Sequence, residues 1–310
     1  MNNKDLISKV ALPVIAAPMF LISNPKMVIA CCKNGVIGSV PALNQRTSEG
    51  FEEWLIEINA ALNDGDAPYA VNLIVNPVNT RLQPDLELCI KYKVPIIITS
   101  LGINTDVIEA VHSYGGIVLH DIANIRHAKK AAQGGVDGII AVCAGAGGHA
   151  GIMSPFALAG EIREFYDGIL VLAGCISHGN DILAARALGA DFAYMGTRFI
   201  NTKESAAVAE YKDMITQAQA TDIVYTDAIS GIHANFLKPS LEAAGVDLAA
   251  MKDGTLEKGD LSVLEDEFKA WKNIWSAGQG VGNIDNVLPI KDLIKTLSDE
   301  YQSALEKLTN

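Results

Sequence analysis

The sequence predicts an α/β protein, a (β/α)8 TIM-type barrel that carries a small, mostly helical second domain. Three observations lead there. Eight short apolar runs rich in β-branched residues recur through roughly the first 200 positions. Each is followed by a stretch with helical spacing, and the runs have no polar face, as expected of parallel strands buried on both sides. Beyond residue 205 the alternation stops. That number of units in that length fits a closed barrel better than the open doubly wound sheet, which is the alternative. The barrel is assigned to 1–205 and 275–310, and the second domain to 206–274.

Taken in order, the strand candidates are VIAAPM (14–19), VIGSVP (36–41), YAVNLIV (69–75), PIIITSL (95–101), GIVLHDI (116–122), GIIAVC (138–143), GILVLAGC (168–175) and FAYMGTRF (192–199). Helix signals punctuate them. NPKMVIACCKNG stops at Asn34-Gly35, Thr47 opens TSEGFEEWLIEINAAL as an N-cap, and NIRHAKKAAQGG stops at Gly134-Gly135. Residues 206–274 read as helices, the loop SGIHANFLKPS and a charged stretch, with no further buried strand. SAGQGVGN (276–283) is glycine-rich and returns the chain to the barrel before a last amphipathic helix.

Composition narrows the function. A chain of 310 residues, 49% hydrophobic and 19% charged, has ample material for a buried core. With 24 Lys and Arg against 36 Asp and Glu, the net charge of −12 excludes the long-range field that draws in nucleic acid or an anionic membrane. Five cysteines with no C-x-x-C pair argue against a disulfide framework and place the protein in a reducing compartment, the cytoplasm. The apolar start resembles a signal peptide only superficially: Asp5 sits among the lysines, and Pro13 and Pro18 interrupt the run, so a first core strand is expected.

Ligands of such barrels bind at the C-terminal ends of the strands. There the sequence places Met19, Asn72, His120, the loop AGAGGH (144–149), Gly174, Cys175 and the turn Met195-Gly196-Thr197. Glycines let a backbone approach a ligand and turn N–H groups toward it, and His149 is the versatile group in that loop. Gly174 and Gly196, with the helix start SHGNDILAARALG, mark a phosphate-binding corner. GAGGHA also satisfies a dinucleotide fingerprint, but Gly151 and Pro155 delay its helix, and no acidic residue ends the next strand.

PVIAAPM, AGAGGHAG, VLAGC, ALGADFAYMGTRFINTKES and AGQGVG, in that order, resemble the nitronate monooxygenase family, formerly called 2-nitropropane dioxygenases. The resemblance spans nearly the whole chain. It implies an FMN-containing barrel with a small second domain, acting on a nitronate or nitroalkane with O2, without nucleic-acid or membrane partners. It puts the active-site histidine at His149 and the phosphate-binding backbone at Gly174 and Tyr194, Met195, Gly196 and Thr197. Flavin contacts fall near Met19, Asn72 and Gly147, with Gly148, Cys175 and His120 beside them. Relatives include enoyl-acyl-carrier-protein reductases and NADH:quinone reductases, so the alternative is an FMN-dependent NAD(P)H reductase of quinones or enoyl thioesters. Where the family often has a glutamine, an acidic residue and AGG, this chain has Val142, Gly145 and Gly174-Cys175.

The other histidines and cysteines read more blandly. His178 is a helix cap, His112 and His127 are surface helix positions, and His233 lines the cleft from the second domain. Cys143 and Cys175 are small buried strand residues, and Cys31-Cys32 lie on a core helix. The acidic runs FEEWLIE and LEDEFKAWK are solvated helix faces. No metal-ligand spacing is present.

Overall fold

A computed structural model describes residues 6–229, 231–252 and 274–309. Eight parallel strands run in the order β1 (Val14–Ala16), β9 (Phe192–Met195), β8 (Ile169–Ala173), β6 (Gly138–Val142), β5 (Ile117–Ile122), β4 (Ile96–Ser100), β3 (Ala70–Ile74) and β2 (Ser39–Pro41). β1 then meets the approach to β2: Ala16 N–H donates to Ile37 O at 2.8 Å and Ile37 N–H to Val14 O at 3.0 Å. The sheet thus curls into the expected barrel.

Helices follow the strands on the outside. They are α1 (Pro25–Lys33), α2 (Ser48–Ala61), α3 (Leu82–Lys91), α4 (Thr105–Ser113), α5 (Ile125–Gln133), α6 (Pro155–Arg163) and α7 (Gly179–Ala187). Their ends show the chemistry of caps. Asn24 and Thr47 side chains accept from Met27 N–H and Gly50 N–H, and Gly35 and Gly135 take φ near +81° and +83° past the ends of α1 and α5. After β9 comes a short helix, α8 (Thr197–Ile200), where a longer strand was expected. The chain then wanders away and returns as α12 (Ile290–Thr309), which packs between α7 and α1 as the eighth helix of the ring.

Strand alternation divides the core into two. Ile15, Ile37, Ala70, Ile96, Ile98, Ile117, Leu119, Ile140, Ile169, Val171 and Phe192 fill the barrel interior, with Leu6 in the same cluster. Val14, Val71, Ile97, Val118, Ile139, Leu170 and Ala193 point the other way, into the layer beneath the helices. Both faces being apolar is why the strands show no alternation in sequence.

The excursion differs from expectation. Besides α9 (Ala209–Gln217), α10 (Lys238–Ala243) and α11 (Leu248–Lys252), it contains β10 (Ile223–Thr226) and β11 (Ala234–Leu237), and β11 is wholly buried. These pair antiparallel, and β11 pairs on its other edge with a two-residue strand, β7 (Gly148–His149), contributed by the glycine loop. A four-residue strand whose second partner is remote in sequence leaves no periodic trace, so its segment read as loop. The run LEDEFKAWK lies outside the described residues. Among the described residues no helix is long and apolar enough to cross a membrane.

Candidate active site

At the C-terminal mouth of the barrel, three glycine-rich segments press together. A Cβ on Gly278 would stand 2.6 Å from Gly145 O and 3.0 Å from Gly147 N, and one on Gly147 would stand 2.9 Å from Gly278 N and 3.2 Å from Thr197 Oγ1. Only glycines allow backbones this close. Gln279 N–H donates to Gly145 O at 2.8 Å, Gly278 N–H to Thr197 Oγ1 at 2.9 Å, and Ser177 Oγ to Gly280 O at 2.9 Å. The returning segment therefore stitches the loops after β6, β8 and β9 into one seam. Gly196 lies opposite Met19, whose Sδ would be 3.7 Å from its Cβ. Gly147, Gly148, Gly174, Cys175, Met195, Gly196, Thr197 and Met19 thus come to one side of the mouth, as the sequence suggested.

His149 is held at the edge of this seam. Its backbone pairs with Ala234 of β11, the neighbouring Gly148 pairs with Asn235, and its side chain is exposed. Asn235 is buried and donates from Nδ2 to Ala146 O at 2.6 Å, while Tyr225 OH donates to Ala150 O at 3.1 Å. The second sheet therefore grips the loop on both sides of the histidine. Asn235 and Tyr225 carried no local signal of this, because the contact spans two segments far apart in the chain. His233 is also exposed, its ring 5.0 Å from that of Tyr225 and its Nδ1 3.9 Å from Asp227 Oδ2.

Two sequence assignments are corrected here. The start of α7 is not a phosphate site: Ser177 and His178 N–H donate to Asp181 Oδ2 at 2.8 and 2.9 Å, and Gly179 N–H to Glu300 Oε2 at 2.7 Å. Carboxylates from α7 and α12 already satisfy those donors, and an anion would be repelled. His120 is turned away from the mouth. It shares the strand face of Val118 and Ile122, its Nδ1 lies 2.8 Å from Thr99 Oγ1, and burial, aided by His127 on α5, lowers its pKa to about 4. His120 is therefore neutral in the fold, and it draws down stability as pH falls from the ordinary histidine range toward 4.

Asn72 does face inward, and it brings partners that the sequence reading passed over. Its Nδ2 donates to Ile98 O at 3.1 Å and to Ser100 Oγ at 2.9 Å, and Ser100 Oγ–H donates to Asp121 Oδ2 at 2.6 Å. Burial pushes the Asp121 carboxyl up to about 6, although the Ser100 hydrogen bond opposes this. The same rules set Tyr194, whose phenol is raised by burial and then by Asp121. Alternation along Ile117, Leu119 and Asp121 is the signal that pointed inward, yet Val118 and Ile122 are equally apolar, so the sequence left the parity open.

Cys175 was read as a buried strand residue, but it is exposed in the loop after β8 with φ +58°, beside Gly174 at φ +127°. Its Sγ fills the space that a Cβ at Gly145 would need. A left-handed non-glycine residue costs roughly 1–3 kcal/mol, partly offset by the entropy a glycine would lose. Cys175→Gly is therefore expected to stabilise the fold by up to about 1 kcal/mol, read as a higher urea midpoint at unchanged slope. Among the described residues no group of three or more His, Cys, Asp or Glu gathers as a metal site.

A nitronate monooxygenase of Paraburkholderia phytofirmans is 25% identical over 96% of this chain and 94% of its own. A (3aS,4S,5R,7aS)-5-hydroxy-7a-methyl-1-oxo-octahydro-1H-indene-4-carboxyl-CoA dehydrogenase of Rhodococcus jostii is also 25% identical, over 91% of this chain and 90% of its own. The solved structure of FabK from Thermotoga maritima superposes with a TM-score of 0.85 at 25% identity, covering 99% of this chain and 97% of that one. The sequence profile described as nitronate monooxygenase matches residues 2–300, and the chain belongs to this family of oxidoreductases.

Proposed function

We propose that this protein is an FMN-dependent monooxygenase that oxidises alkyl nitronates, and nitroalkanes that have lost an α-proton, with O2 to carbonyl compounds and nitrite. The observation that carries this reading is the glycine seam closing on the strand that holds His149. The residues fit the cofactor: at Gly147, Gly174 and Gly278 a Cβ would strike backbone of the adjoining loops, so the mouth is lined there by bare peptide groups of the kind that hold a phosphate, and Asn72, Ser100 and Asp121 put polar groups where the barrel is otherwise apolar. Gly174, Cys175 and the turn from Tyr194 to Thr197 would hold the phosphate. Met19, Asn72, Gly147 and Gly148 would hold the ring.

Bound FMN would supply the redox chemistry, electron transfer from substrate to O2. The protein's part is to bind and orient. His149, exposed on a strand fixed along its backbone, faces substrate entering from solvent. As an imidazolium it donates a hydrogen bond to a nitronate oxygen; as a neutral base it removes the α-proton of a nitroalkane. The barrel segments form the FMN-binding domain and 206–274 the substrate lid. The five free cysteines support a cytoplasmic location.

The likeness to FabK and to a CoA-thioester dehydrogenase favours a second reading, reduction of quinones or enoyl thioesters by NAD(P)H. An anaerobic titration separates the two. A flavin spectrum that bleaches with a nitronate and is inert to NADH and NADPH is expected; bleaching by a nicotinamide, with no response to nitronate, replaces the first reading by the second.

A further inference from the structure

One phenol at the top of the barrel has a proton to donate and no neighbour that takes it. Along β9, Phe192 and Tyr194 point into the bore while Ala193 points toward the helices. Phe192 is fully buried, and the apolar side chains around it seal the bore beneath. Tyr194 stands two residues, about 6.6 Å, nearer the C-terminal ends of the strands, and it is partly exposed. With the layer of Phe192 sealed, that exposure is to the mouth. Among the described residues its Oη meets no hydrogen-bond partner, and unlike Asp121 Oδ1 it is not shielded from solvent. Other phenols embedded in the fold are paired: Tyr69 donates to Asn59 Oδ1 at 3.2 Å, Tyr114 to Val94 O and Tyr166 to Val136 O at 2.9 Å each, and Tyr211 to Ser276 O.

We propose that the side chain of Tyr194 contacts the cofactor: its Oη–H donates a hydrogen bond to an acceptor atom on the ring of a flavin lying over the barrel floor. This rests on the flavin reading above. The backbone of Tyr194 opens the turn assigned to the phosphate, and its side chain runs from the wall into the bore, so one residue serves two parts of the same ligand. Its register partners, Ile15 of β1 and Ala173 of β8, have no polar side chain to take the proton. Burial and the Asp121 carboxyl both oppose ionisation, so the phenol keeps the proton that it donates.

The experiment separates a bond made to the ligand from a bond made within the protein. Tyr194→Phe keeps the ring and removes Oη alone. Tyr166→Phe is the comparison, since its phenol, beside the start of β6, is bonded to backbone. For each full-length apoprotein the Kd of FMN is measured by flavin fluorescence quenching, and the urea midpoint by circular dichroism. Tyr194→Phe should weaken FMN by about threefold to tenfold at an unchanged urea midpoint, because no bond within the chain is lost. Tyr166→Phe should do the reverse, lowering the midpoint and leaving the Kd as it was. The potential of the bound flavin is a further readout. A donor on the ring favours the reduced form, which carries more negative charge, so Tyr194→Phe should lower the midpoint potential in an anaerobic titration against a reference dye. An unchanged Kd, an unmoved potential, or a fall in urea midpoint like that of Tyr166→Phe overturns the contact while leaving flavin binding intact. No FMN binding by the unaltered protein overturns both.

Discussion

His149→Ala should lower turnover with a nitronate by about 100-fold to 10,000-fold while FMN content, measured by absorbance after purification, stays at the level of the unaltered protein. The expectation follows from where the side chain is held. β7 and β11 fix its backbone, and the glycine seam that would carry the cofactor lies on the other side of the loop. Truncation thus removes the imidazole and leaves the cradle. Substrate choice then divides its two possible roles. A nitroalkane must lose a proton first, so if His149 is the base, the defect with a neutral nitroalkane exceeds that with its nitronate. Equal defects mean that it only holds the oxygens. Wild-type turnover by an FMN-loaded variant would remove His149 from the mechanism.

The second large effect is expected at Gly278→Val. Its first side-chain carbon would meet Gly145 O at 2.6 Å, Gly147 N at 3.0 Å and Ala146 C at 3.4 Å, all backbone atoms with no rotamer to yield. The glycine loop and the returning segment must part, and the bonds from Gly278 N–H to Thr197 Oγ1 and from Gln279 N–H to Gly145 O go with them. Overpacking of this kind costs roughly 1–3 kcal/mol. FMN affinity should fall by tenfold or more, because every cradle segment borders the seam. Gly160→Ala on α6 is the control, since its Cβ would meet nothing within 4 Å. Normal FMN binding by Gly278→Val would show that the seam is packing and not a cradle.

The sequence by itself determined the barrel: eight apolar runs, the caps between them, and glycine-rich segments placed after the right strands. Each of these signals is local, and a strand's propensity, a cap's hydrogen bond or a glycine's backbone freedom is written in a few adjacent residues. The tertiary structure decided the rest. It turned His120 outward and Asp121 inward, a choice that period-two reading cannot make when both faces of a strand are apolar. It closed the start of α7 with Glu300, a residue from the far end of the chain. It made the loop carrying His149 into a strand through β11, a pairing whose closure across a long stretch of chain no local pattern announces. Which loops meet at the mouth was legible; how their side chains are oriented depended on contacts between segments remote in sequence, which exist only once the chain has folded.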